Sequence, residues 1–154
     1  MIDARMLRKC LHAELQPRGF VRRSSTWYLH CDEVIVVLNL QKCDWDRTYF
    51  LNLGFWLRGI SEKEEFPREE RCHVNTRAES LWSDERFSII ELEDQDECHD
   101  QECLAAIRLF LRDKVIPFLV AGSTIAGIRL MLRAYSFDLV LPVTREFLGL
   151  PNPQ

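Results

Sequence analysis

Apolar residues recur at helical spacing at the start of the chain, where Met6, Leu7, Cys10, Leu11 and Leu15 share one face. Asp3 can cap that helix and Pro17 with Gly19 stops it, so a helix is expected over residues 3–15. The pattern then shortens to strand-like pieces joined by polar turns. Phe20–Arg23 leads through Ser24-Ser25 to Thr26–His30, and Asp32-Glu33 leads to Val34–Lys42, a strongly β-branched run. Cys43–Asp46 is a polar turn before Arg47–Leu57. Within that last strand, strict alternation puts Tyr49, Leu51, Leu53, Phe55 and Leu57 on one face and Thr48, Phe50, Asn52, Gly54 and Trp56 on the other. Short strands with short turns imply an antiparallel meander.

Ser61–Glu70 reads as a charged connector, with Pro67 arguing against helix or central strand. Val74–Arg77 and Phe87–Leu92 are candidate edge strands. Asp100–Ile116 carries an apolar stripe of Leu104, Ile107, Leu111 and Val115, and Pro117 is expected to kink or end this helix. Ser123 can cap a further helix over Thr124–Ala134, and Thr144–Leu148 suits a last short one. The expected fold class is α+β: an N-terminal helix on an antiparallel sheet of four to six strands, covered by C-terminal helices. With no repeat or low-complexity linker, residues 1–154 read as one domain.

Composition narrows the function classes. The chain is 47% hydrophobic and 29% charged, ordinary for a globular protein, with a formal net charge of -4. That balance argues against nucleic acid as a partner. The start of the chain lacks the apolar run of a signal peptide, and no stretch is long and uncharged enough to cross a membrane. A cytoplasmic protein is expected, with its six cysteines reduced rather than bridged.

Between Gln16 and Gly54 the chain carries Pro17-x-Gly19-Phe20, Trp27-Tyr28, Asn39-Leu40-Gln41-Lys42 and Asn52-Leu53-Gly54. This set resembles a bacterial family catalogued as domain of unknown function 4304. Cys43 stands where the family pattern has serine, and Val74-Asn75-Thr76-Arg77 loosely fits a later basic position. The resemblance brings no reaction and no catalytic residues. Such domains often sit among toxin–immunity genes, so it implies toxin neutralisation by analogy.

Charge is strongly segregated. Glu62 to Glu102 holds fifteen acidic residues against five basic ones, whereas Arg5 to Arg23 holds six basic residues and only Glu14 as an acid. The densest acidic stretch, Glu91–Glu102, contains seven acids, more than a following helix dipole needs. It is either a solvated loop or an anionic surface that steers onto a basic protein partner. Trp45, between Asp44 and Asp46 in a turn, is either a binding anchor or folded over the sheet edge.

Asn39, Gln41 and Asn52 interrupt otherwise apolar strands. They form either a polar ligand patch or buried amides that fix strand register. Cys98-His99-x-x-x-Cys103 with Cys72-His73 lacks the second matched pair that structural zinc needs, so no metal is expected. No nucleophile elbow or phosphate-cradling glycine loop is present, so neither catalytic residues nor a cofactor are expected. The basic N-terminal segment could contact nucleic acid, but pairing with the acidic middle of the chain is the simpler expectation.

The leading expectation is therefore a non-catalytic immunity-type protein. It would bind a toxin with a basic cleft through Glu91, Glu93, Asp94, Asp96 and Glu97, with Trp45 as anchor. The alternative is a small-ligand binding module using Asn39, Gln41 and Asn52.

Overall fold

The computed structural model describes residues 2–45, 48–83 and 97–151, with the side chains of 97–99 outside that description. Helix α1 spans Ala4–Leu15, and Asp3 caps it by accepting from the Met6 N–H at 2.8 Å. The strands are β1 (Val21–Arg23), β2 (Thr26–His30), β3 (Val34–Lys42), β4 (Tyr49–Leu57), β5 (Val74–Arg77) and β6 (Leu139–Val140). They form one antiparallel sheet in chain order, β1 to β6. Val74–Arg77 is thus an interior strand and not an edge, because the two-residue β6 pairs along its outer side. The expected strand at Phe87–Leu92 lies outside the described residues.

The remaining helices are α2 (Ala78–Leu81), α3 (Glu97–Phe110), α4 (Ile116–Ala121), α5 (Ile125–Ala134) and α6 (Pro142–Leu148). Two expectations are corrected here. Of the two outcomes expected at Pro117, a kink or an end, only the end is overturned. A π-helical turn, Leu111–Val115, precedes Pro117, and the chain continues helically to Ala121. Pro117 has no N–H to return to residue 113, and the wider turn shifts the ladder by one residue before the ring is reached. Likewise Thr124, not Ser123, caps α5: its side chain accepts from the Gly127 N–H, while the Ser123 hydroxyl donates back to the Val120 carbonyl at 2.6 Å.

Alternation divides the sheet into two unlike faces. Val34, Val36, Leu38 and Leu40 of β3, with Leu51, Leu53, Phe55 and Leu57 of β4, are buried in the main core. Leu7, Leu11 and Leu15 of α1 meet them there, together with Leu111, Val115, Leu119 and Ile128. This is the face the helices cover. Burial of side chains this size stabilises by about 1.5–3 kcal/mol each, so the face dictates register. Among the described residues, no single helix is long and apolar enough to cross a membrane.

The opposite face is covered by a strap, residues 58–73, over only part of its length. Cys72, Tyr28, Ile35 and Val37 form a second, smaller apolar cluster, with Trp56 and Phe66 packed against it. Gly54 makes this seating possible. A Cβ there would lie 2.9 Å from Cys72 Sγ, so only glycine lets the strap lie directly on the strand. The Trp56 indole donates to the Ser61 carbonyl at 3.0 Å, and Phe66 stands edge-on to Tyr28.

Candidate functional site

Where the strap stops, the sheet face turns polar. The register sets Thr26, Asn39, Asn52 and Arg77 opposite one another across β2, β3, β4 and β5. They are one row of a single sheet face. Their side chains join into a ladder. Asn39 Nδ2 donates to Thr26 Oγ1 at 3.0 Å; Asn52 Nδ2 donates to Asn39 Oδ1 at 3.1 Å and to Gln41 Oε1 at 2.8 Å. Arg77 Nε donates to Asn52 Oδ1 at 3.2 Å. The Arg77 guanidinium lies over the Phe50 ring, 4.4 Å from its centroid. The expected neighbours Asn39, Gln41 and Asn52 are therefore brought together.

The ladder borders a cleft of about 380 Å³ lined by Gln41, Asn52, Glu69, Asn75, Arg77 and Asp138, among others. Glu69 begins a 3₁₀ turn, Glu69–Arg71, at the end of the strap. Its carboxyl is pushed up to about 7, chiefly by burial and next by the neighbouring Glu70; Arg77 opposes the shift and Asp138 adds to it. Asp138 is structural as well. Its Oδ2 accepts from the Arg77 N–H at 2.9 Å, from Ser80 Oγ at 3.0 Å and from Thr76 Oγ1 at 3.2 Å, which ties the start of α2 to the chain before β6.

Two of the three ladder amides differ in what they leave open. Asn52 is buried and its carboxamide is committed on both sides. Gln41 is exposed and accepts from Asn52, and its amide N–H groups have no partner among the described residues. The carboxylates of Glu70 and Asp138, the half-buried Glu69 carboxyl near neutrality and the Arg77 guanidinium give the cleft an excess of acceptors. Such a surface suits a ligand with ammonium, guanidinium or amide donors.

The other expected residues fall elsewhere. Glu91, Glu93, Asp94 and Asp96 lie outside the described residues, as does the side chain of Glu97, the first residue of α3. Trp45 is 95% exposed in the β3–β4 turn, so it is not folded over the sheet edge. The expected pairing of the basic segment with the acidic middle falls partly on residues 84–96, outside the described residues; among the described residues Arg5, Arg8 and Lys9 make no ion pair. Glu14 instead takes a bidentate fork from Arg112, with both bonds at 2.8 Å, and this hydrogen bonding holds its carboxyl below the usual range.

Cys72 and His73 have structural places. Cys72 sits on Gly54, and His73 Nδ1 accepts the Leu57 N–H at 2.9 Å. No group of three or more metal-ligating side chains occurs among the described residues, and the five described cysteines are free thiols.

Glu69, Asn75, Arg77 and Asp138 escaped the reading of the sequence. The alternation of Val74-Asn75-Thr76-Arg77 holds the signal for two of them, since it puts Asn75 and Arg77 on a common face. Compared with known proteins, residues 11–121 match a family model described as "Domain of unknown function (DUF4304)". Neither a curated protein nor a solved structure matches the chain.

Proposed function

The chain belongs to the DUF4304 domain family, and from that premise, which carries no reaction, we propose that it is a non-catalytic binding module. Its cleft beside β3, β4 and β5 takes a small polar ligand bearing a cationic or amide donor group. The observation that supports this reading is the polar row left open at the end of the strap, with the raised carboxyl of Glu69 among the residues that line the cleft. Amides that served only to fix register would be closed over by the strap, as Gly54 itself is by Cys72. Holding a half-buried carboxyl near neutrality works against folding, and such groups concentrate at binding sites.

A donor group approaching Glu69 favours its ionised form, so binding is coupled to proton release. The test is calorimetric titration of the intact chain with a panel of guanidinium and amine compounds, arginine and spermidine among them. At least one compound binds wild type, and Glu69→Gln weakens it about tenfold, the value of one charge-assisted hydrogen bond. A panel that binds nowhere, or binds Glu69→Gln equally, rejects the reading.

A second reading is toxin neutralisation, with the acidic stretch Glu91, Glu93, Asp94, Asp96 and Glu97 docking in the cytoplasm on a toxin's basic cleft. What favours it is Trp45, a large apolar side chain standing almost fully in solvent beside Asp44. Reversing Glu91, Glu93 and Asp94 to lysine then slows association with the toxin, most at low salt. Association rates that ignore ionic strength exclude it.

A further inference from the structure

A second groove lies between α1 and β1. Arg5, Arg8, Lys9 and His12 follow one another at i, i+3, i+4 and i+7, so they form a single stripe along α1. Arg22 of β1 faces the stripe, and together these residues line a groove of about 570 Å³. A contiguous hollow of about 500 Å³ continues past His12 and Arg22 toward Ser24.

Trp27, fully buried in β2, organises the groove from below. Its indole N–H donates to His12 Nδ1 at 3.2 Å. Nδ1 is thereby an acceptor, which places the proton of the neutral ring on Nε2 and makes that nitrogen a donor. The Arg22 guanidinium lies over the same indole, 5.6 Å from the ring centroid, while its Nε donates to the Ser24 carbonyl at 2.7 Å. Two groove residues are thus positioned by one buried tryptophan. Arg5, Arg8, Lys9 and Arg22 make no ion pair among the described residues, in a protein whose formal net charge is -4. Glu14, on the same helix, is occupied by Arg112.

We infer that this groove is an anion site for a ligand with several linked phosphates. The stripe from Arg5 to His12 runs about 10 Å along the helix axis, longer than one phosphate can touch. Guanidinium forks and an oriented imidazole N–H match phosphate oxygens.

The test titrates tripolyphosphate and orthophosphate into the full chain by calorimetry, and follows the His12 ring nitrogens by NMR. Tripolyphosphate binds at least tenfold more tightly than orthophosphate, shifts the Nε2 signal, and weakens steeply with added salt. The double variant Arg8→Gln/Arg22→Gln, at one half-buried and one exposed position, keeps its circular dichroism and loses at least tenfold in affinity. Equal binding by that variant, or an unmoved His12 signal, overturns the inference. Two competing occupants have their own arms. A short oligothymidylate that binds more tightly than tripolyphosphate makes the groove a nucleic-acid site and overturns the small-anion assignment. Neutralising Glu91, Glu93 and Asp94 leaves tripolyphosphate affinity unchanged; a tenfold gain would make the chain's own acidic stretch the occupant instead.

Discussion

Asn39 and Asn52 stand directly opposite one another on β3 and β4, and the Asn52 carboxamide donates to Asn39 Oδ1 at 3.1 Å. That bond is the centre of a ladder running from Thr26 to Arg77 across four strands. The same carboxamide also reaches Gln41 and accepts from Arg77. Asn52→Ala strips all three neighbours of this partner, and a cost of about 1–3 kcal/mol follows. Urea unfolding measures it. A change near zero would mean that water replaces the amide without loss, and that the ladder does not set the row's geometry.

Gly54 and Cys72 define how closely the strap sits on the sheet. Gly54→Ala places a methyl 2.9 Å from Cys72 Sγ and 3.1 Å from its Cβ, an overpacking of about 1–3 kcal/mol. Cys72→Ala in the same chain recovers part of that loss, because the Sγ contact disappears while the Cβ contact stays. A double-mutant cycle gives the coupling. Additive effects would show that the strap moves freely at this point.

Glu69 gives stability a distinctive pH dependence. Its folded value of about 7 lies above its ordinary 4.5, so the folded state holds the proton more tightly. Stability contributed this way is present below about 4.5 and is lost as pH rises to about 7. His73 acts in the opposite sense. Burial lowers its value, so its contribution is present above its ordinary 6.5 and is lost as pH falls. The difference between wild type and Glu69→Gln isolates the carboxyl: wild type loses stability relative to the variant across that window. Parallel profiles in urea would remove Glu69's raised value from the account.

Glu14 and Arg112 tie α1 to the π-helical turn after α3. Glu14 is held below its usual range by the Arg112 fork, so its contribution is present above the ordinary carboxylate value and fades in acid. Arg112→Leu destabilises at neutral pH and reduces the acid sensitivity. Unchanged acid unfolding would show that water serves Glu14 as well.

Much of this architecture was legible beforehand, for identifiable reasons. Val34–Lys42 is found with the expected bounds, since a β-branched run between acidic and polar turns has few other conformations. The Arg47–Leu57 strand is observed from Tyr49, and Arg47 lies outside the described residues. The meeting of Asn39, Gln41 and Asn52 follows from a period of two and antiparallel pairing. The strap resists such reading. Glu62–Glu70 has no periodicity, and its seat on the sheet comes from long-range contacts through Gly54, Phe66 and Cys72, which no local pattern encodes. Glu69 was therefore invisible as a cleft residue. β6 is two residues long and is held by β5 rather than by its own propensity.

The most direct test of the central claim is a titration followed through the side-chain amide signals of Gln41, Asn52 and Asn75. With the ligand selected by calorimetry, these three amides shift together and saturate at the calorimetric affinity, while the indole signal of Trp45 stays in place. Saturating binding that leaves all three unmoved would contradict the account, because the ligand would then sit somewhere other than the polar row.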